Sequence, residues 1–244
     1  MDIDVNKLVN DATIEILVNN NTKKVICELY ELVYDKNIDS EEIKSTLAFA
    51  FYENKNYMEA VKIYNELNMP YHAGFCELLL GNKDKTRELW FNAPESSAIC
   101  WGKSLIDLIE IKIGLVPTFL QVRNFLERDL TYFIRADKVN YAENVIQCNN
   151  FLSDINPEAN KFIGKALMNS GFQNLAVTFF LKSQEMIPTD PEIYYYLAQY
   201  TYQVGALDET KRMLKQCLDL NITYTPAKIL LDKIGNEMIS NAKK

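Results

Sequence analysis

Asn156-Pro157-Glu158 returns as Asp190-Pro191-Glu192 exactly one repeat later, 34 residues on, and Thr225-Pro226 falls near the next interval.

 Gly171 returns as Gly205, Ala142 lines up with Ala176, and Phe180 lines up with Leu214. A period of this length means one pair of helices per repeat, whose apolar face is covered only when a neighbour stacks on it. The chain is therefore expected to be an all-α array, with a binding surface in place of a reaction centre.

The helical reading follows from the residues of one unit, with Pro157 as position one. Asn156 is placed to cap the first turn, and a proline at the first helical position loses no hydrogen bond. Ala159, Phe162, Ile163, Ala166 and Leu167 follow at helical spacing, and Gly171 can take the left-handed backbone that closes a helix. A second helix carries Ala176, Phe179, Phe180, Ser183 and Ile187 on one stripe and stops at Pro188.

This pattern resembles the tetratricopeptide repeat, in which small residues at positions eight, twenty and twenty-seven let the two helices approach closely. Gly164, Ala176 and Ser183 hold those places, with Phe180 at the aromatic position twenty-four and Pro188 at thirty-two. The next unit has Tyr194, Leu197, Ala198, Gly205 and Leu214 in register, and departs from the pattern at Thr210 and Ile222. An earlier unit from Arg123 carries Phe133, Ala142 and Ile146, with the large Leu130 at position eight. Another begins at Glu41 after a Ser40 cap, with Leu47, Ala48, Phe51, Tyr57, Ala60 and Tyr64 in place. A shortened unit follows, marked by Gly74, Gly81 and Trp90. The resemblance implies a right-handed α-solenoid of such hairpins.

The segments divide accordingly. Residues 1–38 are expected to be a degenerate N-terminal hairpin broken near Asn19-Asn20-Asn21, and 39–94 two hairpins. Residues 95–122 cannot be phased, and read as a long apolar helix through Ile113 followed by Gly114-Leu115-Val116-Pro117. Residues 123–224 form three units, and 225–244 a C-terminal capping helix. That helix is expected to bury Leu230, Leu231, Ile234 and Met238 while Lys228, Asp232, Lys233, Asn236 and Glu237 meet water.

Composition narrows the function. A formal net charge of −7 disfavours nonspecific attachment to nucleic acid or anionic lipid, so neither is expected as a partner. Met1-Asp2-Ile3-Asp4 lacks the basic start of a secretory signal, and no run approaches the roughly 18 apolar residues of a membrane span. Five scattered cysteines, Cys27, Cys76, Cys100, Cys148 and Cys217, fit reduced thiols in a cytoplasmic protein. There is a single histidine, His72, and no phosphate loop, metal-ligand cluster or nucleophile elbow occurs. No enzyme activity, cofactor, metal or small-molecule substrate is therefore expected.

The candidate surface is the concave groove that the resemblance implies. Tyr195, Gln199 and Tyr202 take positions five, nine and twelve, which face that groove in tetratricopeptide proteins, and tyrosine is a good contact group. Lys161 and Lys165 take positions five and nine, Arg128 six and Arg135 thirteen, giving an expected positive strip for an acidic or phosphorylated peptide or a C-terminal carboxylate. The lysine-and-asparagine clamp of some relatives is not reproduced, since Phe162 and Tyr196 stand at position six. The expected role is a protein-interaction adaptor holding a peptide or partner helix. The alternative is a stable subunit of a larger assembly packing through convex or terminal faces, for instance beside a glycosyltransferase or secretion component.

Overall fold

A computed structural model describes residues 4–112 and 114–242, and the side chains among them up to residue 237. Every regular element among the described residues is helical. The chain divides into two compact units between Val116 and Pro117. The first holds α1 (Val5–Leu17), α2 (Thr22–Tyr30) with a π-helical turn (Glu31–Asp35), α3 (Glu41–Glu53), α4 (Tyr57–Glu66), α5 (Pro70–Leu80), α6 (Lys83–Phe91) and α7 (Ser97–Ile109). The second holds α8 (Phe119–Arg135), α9 (Val139–Gln147), α10 (Asn149–Ile155), α11 (Ala159–Asn169), α12 (Gln173–Met186), α13 (Pro191–Gln203), α14 (Leu207–Leu220) and α15 (Thr225–Ala242). Within each unit, consecutive helices pack as antiparallel hairpins, and each hairpin stacks on the next.

One backbone device sets the register throughout. The first helix of each hairpin ends near a residue with positive φ: Asn20 (55°), Lys55 (63°), Gly81 (93°), Asp137 (56°), Gly171 (86°) and Gly205 (79°). Ile111 (51°) does the same after α7. A left-handed residue reverses the chain tightly enough for the second helix to fold back. Glycine takes this conformation without strain, whereas Ile111, being β-branched, is held there at a cost.

Packing follows size matching between helices. Trp90 of α6 is fully buried between α5 and α7, where Gly74 and Gly102 leave room for its ring. A Cβ at Gly102 would lie 2.8 Å from that indole. In the second unit Phe180 of α12 fills the same role against Gly164, whose added Cβ would lie 2.8 Å from the ring, and stacks on Tyr196 with centroids 5.0 Å apart. Tyr64 of α4 meets His72 of α5 in the equivalent place, at 5.1 Å. Ala142 and Ala176 are buried, as close helix approach requires. Where alanine is replaced, by Thr86 and Thr210, the buried hydroxyls donate to backbone carbonyls: Thr86 to Gly74 (3.1 Å) and Thr210 to Ala206 (2.9 Å).

Several local expectations differ from what is observed. The helix expected through Ile113 stops at Ile109, because Glu110 and Ile111 close it; Ile113 lies outside the described residues. The helix expected from Pro157 starts at Ala159, while Asn156 accepts from the Glu158 amide and sends its own side-chain amide to the Phe119 carbonyl at 3.1 Å. The second helix of the Arg123 unit is split at Cys148 into α9 and α10. On α15 the buried residues are Ala227 and Ile234, and Leu231 is exposed; Met238 lies outside the described side chains.

Candidate functional site

The seven candidate residues all fall in the second unit, on the first helices α8, α11 and α13. Helix α8 starts at a capping box, in which Thr118 accepts from the Gln121 amide and the Gln121 side chain accepts from the Thr118 amide at 2.8 Å. Helix α13 starts at Asp190, whose carboxylate accepts from the Glu192 amide at 2.9 Å. These caps fix where the helices begin, and with it which side chains share a face.

Lys161 and Lys165 are held in a ladder of carboxylates. Lys161 Nζ lies 2.7 Å from Glu158, 2.6 Å from Asp190 and 3.2 Å from Glu192. Lys165 Nζ lies 3.0 Å from Glu127 of α8 and 3.1 Å from Glu192 of α13, so one ammonium links three successive first helices. The Lys161 side chain is only 6% exposed. Burial alone would pull both ammonium pKa values down. The hydrogen bonds of Lys161 to Asp190 and Glu158, and the Glu127 charge beside Lys165, outweigh it and raise both above the usual lysine range. Two lysines among four carboxylates do not make a positive strip, and their charge is used between the helices.

The tyrosine row lies on α13. Tyr194 is buried and donates to the Pro188 carbonyl at 2.9 Å. Tyr195 is half-buried, accepts from the Gln199 side-chain amide at 2.9 Å, and sits 5.4 Å from the Tyr224 ring. Tyr202 is also half-buried; its hydroxyl donates to Glu237 of α15 (2.7 Å), and Lys233 lies over its ring at 5.0 Å. Tyr195, Gln199 and Tyr202 are thus brought onto one face, with α15 beside Tyr202.

Arg128 and Arg135 open into a separate hollow of about 330 Å³, formed by Arg123, Asn124, Glu127, Arg128, Thr131, Tyr132 and Arg135 of α8 with Asn169 of α11. Arg128 lies over the Phe125 ring (5.0 Å), and its Nε donates to the buried Asp129 at 2.8 Å. Arg135 lies over Tyr132 at 5.6 Å. Arg123 and Asn169 were absent from the sequence-based set. The helical stripe from Asn124 through Arg128 and Thr131 to Arg135 was readable, but Asn169 enters only through stacking of α11 on α8.

Elsewhere, His72 is exposed beside Tyr64, and no disulfide joins any of the five cysteines. Among the described residues no cluster of three metal-ligating side chains occurs, and no helix is long and apolar enough to cross a membrane.

No family profile and no curated protein matches the chain. Among solved structures it is similar to the crystal structure of the TPR domain of P58(IPK), at 14% sequence identity and a TM-score of 0.36, across 99% of this chain and 67% of that one.

Proposed function

We propose that this chain is a non-catalytic, cytoplasmic protein-interaction scaffold that holds a peptide or partner helix on the first-helix face of residues 123–224, with α15 packed beside it as capping helix. The observation that carries this reading is the row of Tyr195, Gln199 and Tyr202, presented on α13 while the ladder beneath fixes α8, α11 and α13 together. Preorganised helices lose little ordering entropy on docking, and half-buried tyrosines give contact area at small entropic cost. Arg128 and Arg135 favour an acidic partner, while Lys161 and Lys165 keep the face in shape.

The test is a Tyr195→Ala, Tyr202→Ala variant with helicity checked by circular dichroism. A partner purified from the native cell and identified by mass should bind it about tenfold more weakly or worse, as loss of two aromatic anchors implies. Unchanged affinity would place the interface elsewhere.

A further inference from the structure

We infer that the hollow between α4 and α6 binds an arginine-bearing peptide, with the guanidinium against Glu77 and Glu88 and the main chain against asparagine side chains. This site belongs to the first unit, whereas the tyrosine row belongs to the second, so it stands whether or not that row holds a partner. Helices α4 and α6 both pack on α5, and a hollow of about 550 Å³ is lined from all three. On α6, Lys85, Glu88, Leu89 and Asn92 follow at i, i+3, i+4 and i+7, which is a single helical stripe. Asn65 and Asn68 face them from the end of α4, and Glu77 enters from α5.

The lining has binding capacity that the chain does not use. Glu77 is 7% exposed. One of its carboxylate oxygens accepts from the Asn82 side-chain amide at 2.6 Å; the other has only Lys85, at 3.7 Å, outside hydrogen-bond reach. A carboxylate offers about four acceptor sites, so this buried anion can take further donors. The Lys85 side chain is 66% exposed, and so loose a pair is readily displaced. Glu88 makes no ion pair among the described residues. The surroundings also favour a cation, since residues 1–116 hold 19 Asp and Glu against 12 Lys and Arg. A guanidinium suits the hollow better than an ammonium: it is planar and weakly hydrated, and it donates to several acceptors at once. Pro70 and Leu89 lie beside its aliphatic stem. The side chains of Asn65, Asn68 and Asn92 make no hydrogen bond among the described residues. Each offers a carbonyl acceptor and an amide donor, the same pair that a peptide main chain presents.

The probe is a dye-labelled five-residue peptide with a central arginine flanked by glycine and serine, titrated into the full chain and followed by fluorescence polarisation. Copies with citrulline or lysine at the centre are titrated beside it. The arginine peptide should bind about tenfold more tightly than the citrulline peptide, more tightly than the lysine peptide, and more weakly as salt is raised. Glu88→Gln should remove most of that preference while the buried-tryptophan fluorescence stays as it is. Asn65→Ala with Asn92→Ala should weaken the arginine and citrulline peptides by the same factor, because main-chain contacts do not depend on the central side chain. Equal binding of the citrulline or lysine peptide, or no binding at millimolar peptide, overturns the inference. So does an unchanged preference in Glu88→Gln, or an asparagine variant that binds as wild type. The Tyr195→Ala, Tyr202→Ala variant should bind the arginine peptide normally; if it alone loses binding, this site falls and the first-helix face stands.

Discussion

The two units solve the same packing problem with opposite materials. Each runs through three hairpins and closes on a lone helix, α7 in the first and α15 in the second. The first unit wedges an indole between two glycines; the second stacks Phe180 on Tyr196 over a single glycine. The first gathers cations around an acid: Glu110 pairs with Arg87, with Lys83 at 3.5 Å and with Lys112 at 2.6 Å. The second gathers acids around Lys161 and Lys165. What the units share is backbone geometry and the pairing of a large residue with small ones, while residue identity and charge sign are free to change.

Both tryptophans, Trp90 and Trp101, are buried in the first unit, so indole fluorescence follows that unit while circular dichroism follows both. The largest effect should come from Lys161→Met, which leaves Glu158, Asp190 and Glu192 without their shared cation. A loss of about 3–5 kcal/mol is expected in urea unfolding followed by circular dichroism, with the fluorescence transition unmoved. A loss under about 1 kcal/mol would mean that water, not Lys161, satisfies those carboxylates.

Next come the paired glycines. Gly102→Ala should cost the first unit about 1–3 kcal/mol, and Gly164→Ala a similar amount in the second, because each new methyl meets a ring at 2.8 Å. Unequal costs would show that one wedge can shift and the other cannot.

The charge contrast predicts opposite pH limbs. The hydrogen bond from Lys112 holds the Glu110 carboxyl down, and Arg87 adds to it against the effect of burial, so that its pKa is lowered to about 2. A depressed acid stabilises above its unfolded value of about 4.3 and loses that contribution as pH falls towards 2. The fluorescence transition should therefore weaken by about 1–2 kcal/mol across that window, given the exposed Lys112, and Glu110→Gln should flatten the response. The raised lysines act at the other end: their contribution is complete below about 10.4 and declines as pH rises beyond it. Dichroism-followed unfolding should show that alkaline limb and Lys161→Met should blunt it.

The smallest effect is at the hairpin corners. Ile111→Gly should stabilise the first unit by about 1 kcal/mol by removing left-handed strain, read as a higher fluorescence midpoint. Gly171→Ala, where an added Cβ meets nothing within 4 Å, should cost the second unit about 1 kcal/mol from the backbone alone.

The sequence made the hairpins visible wherever glycine stood at the corner, as at Gly81, Gly171 and Gly205. Asn20 and Asp137 are types that tolerate the same conformation, so their corners carried a weaker signal. Lys55 and Ile111 carried none, and without Ile111 the segment around α7 could not be phased. The candidate site divides the same way. The helical register placed Tyr195, Gln199 and Tyr202 together, but it was applied one unit at a time. Glu127 and Glu192 lie in the units on either side of Lys165, and reading across those units would have shown both lysines engaged.

The lysine ladder has a mechanical consequence. Three rods tied through one ammonium group cannot fan apart separately, so a molecule landing there would meet a template of fixed pitch. Glu110 joins α7 to α6 alone, and a clasp between two neighbours leaves the rest of a stack free to breathe.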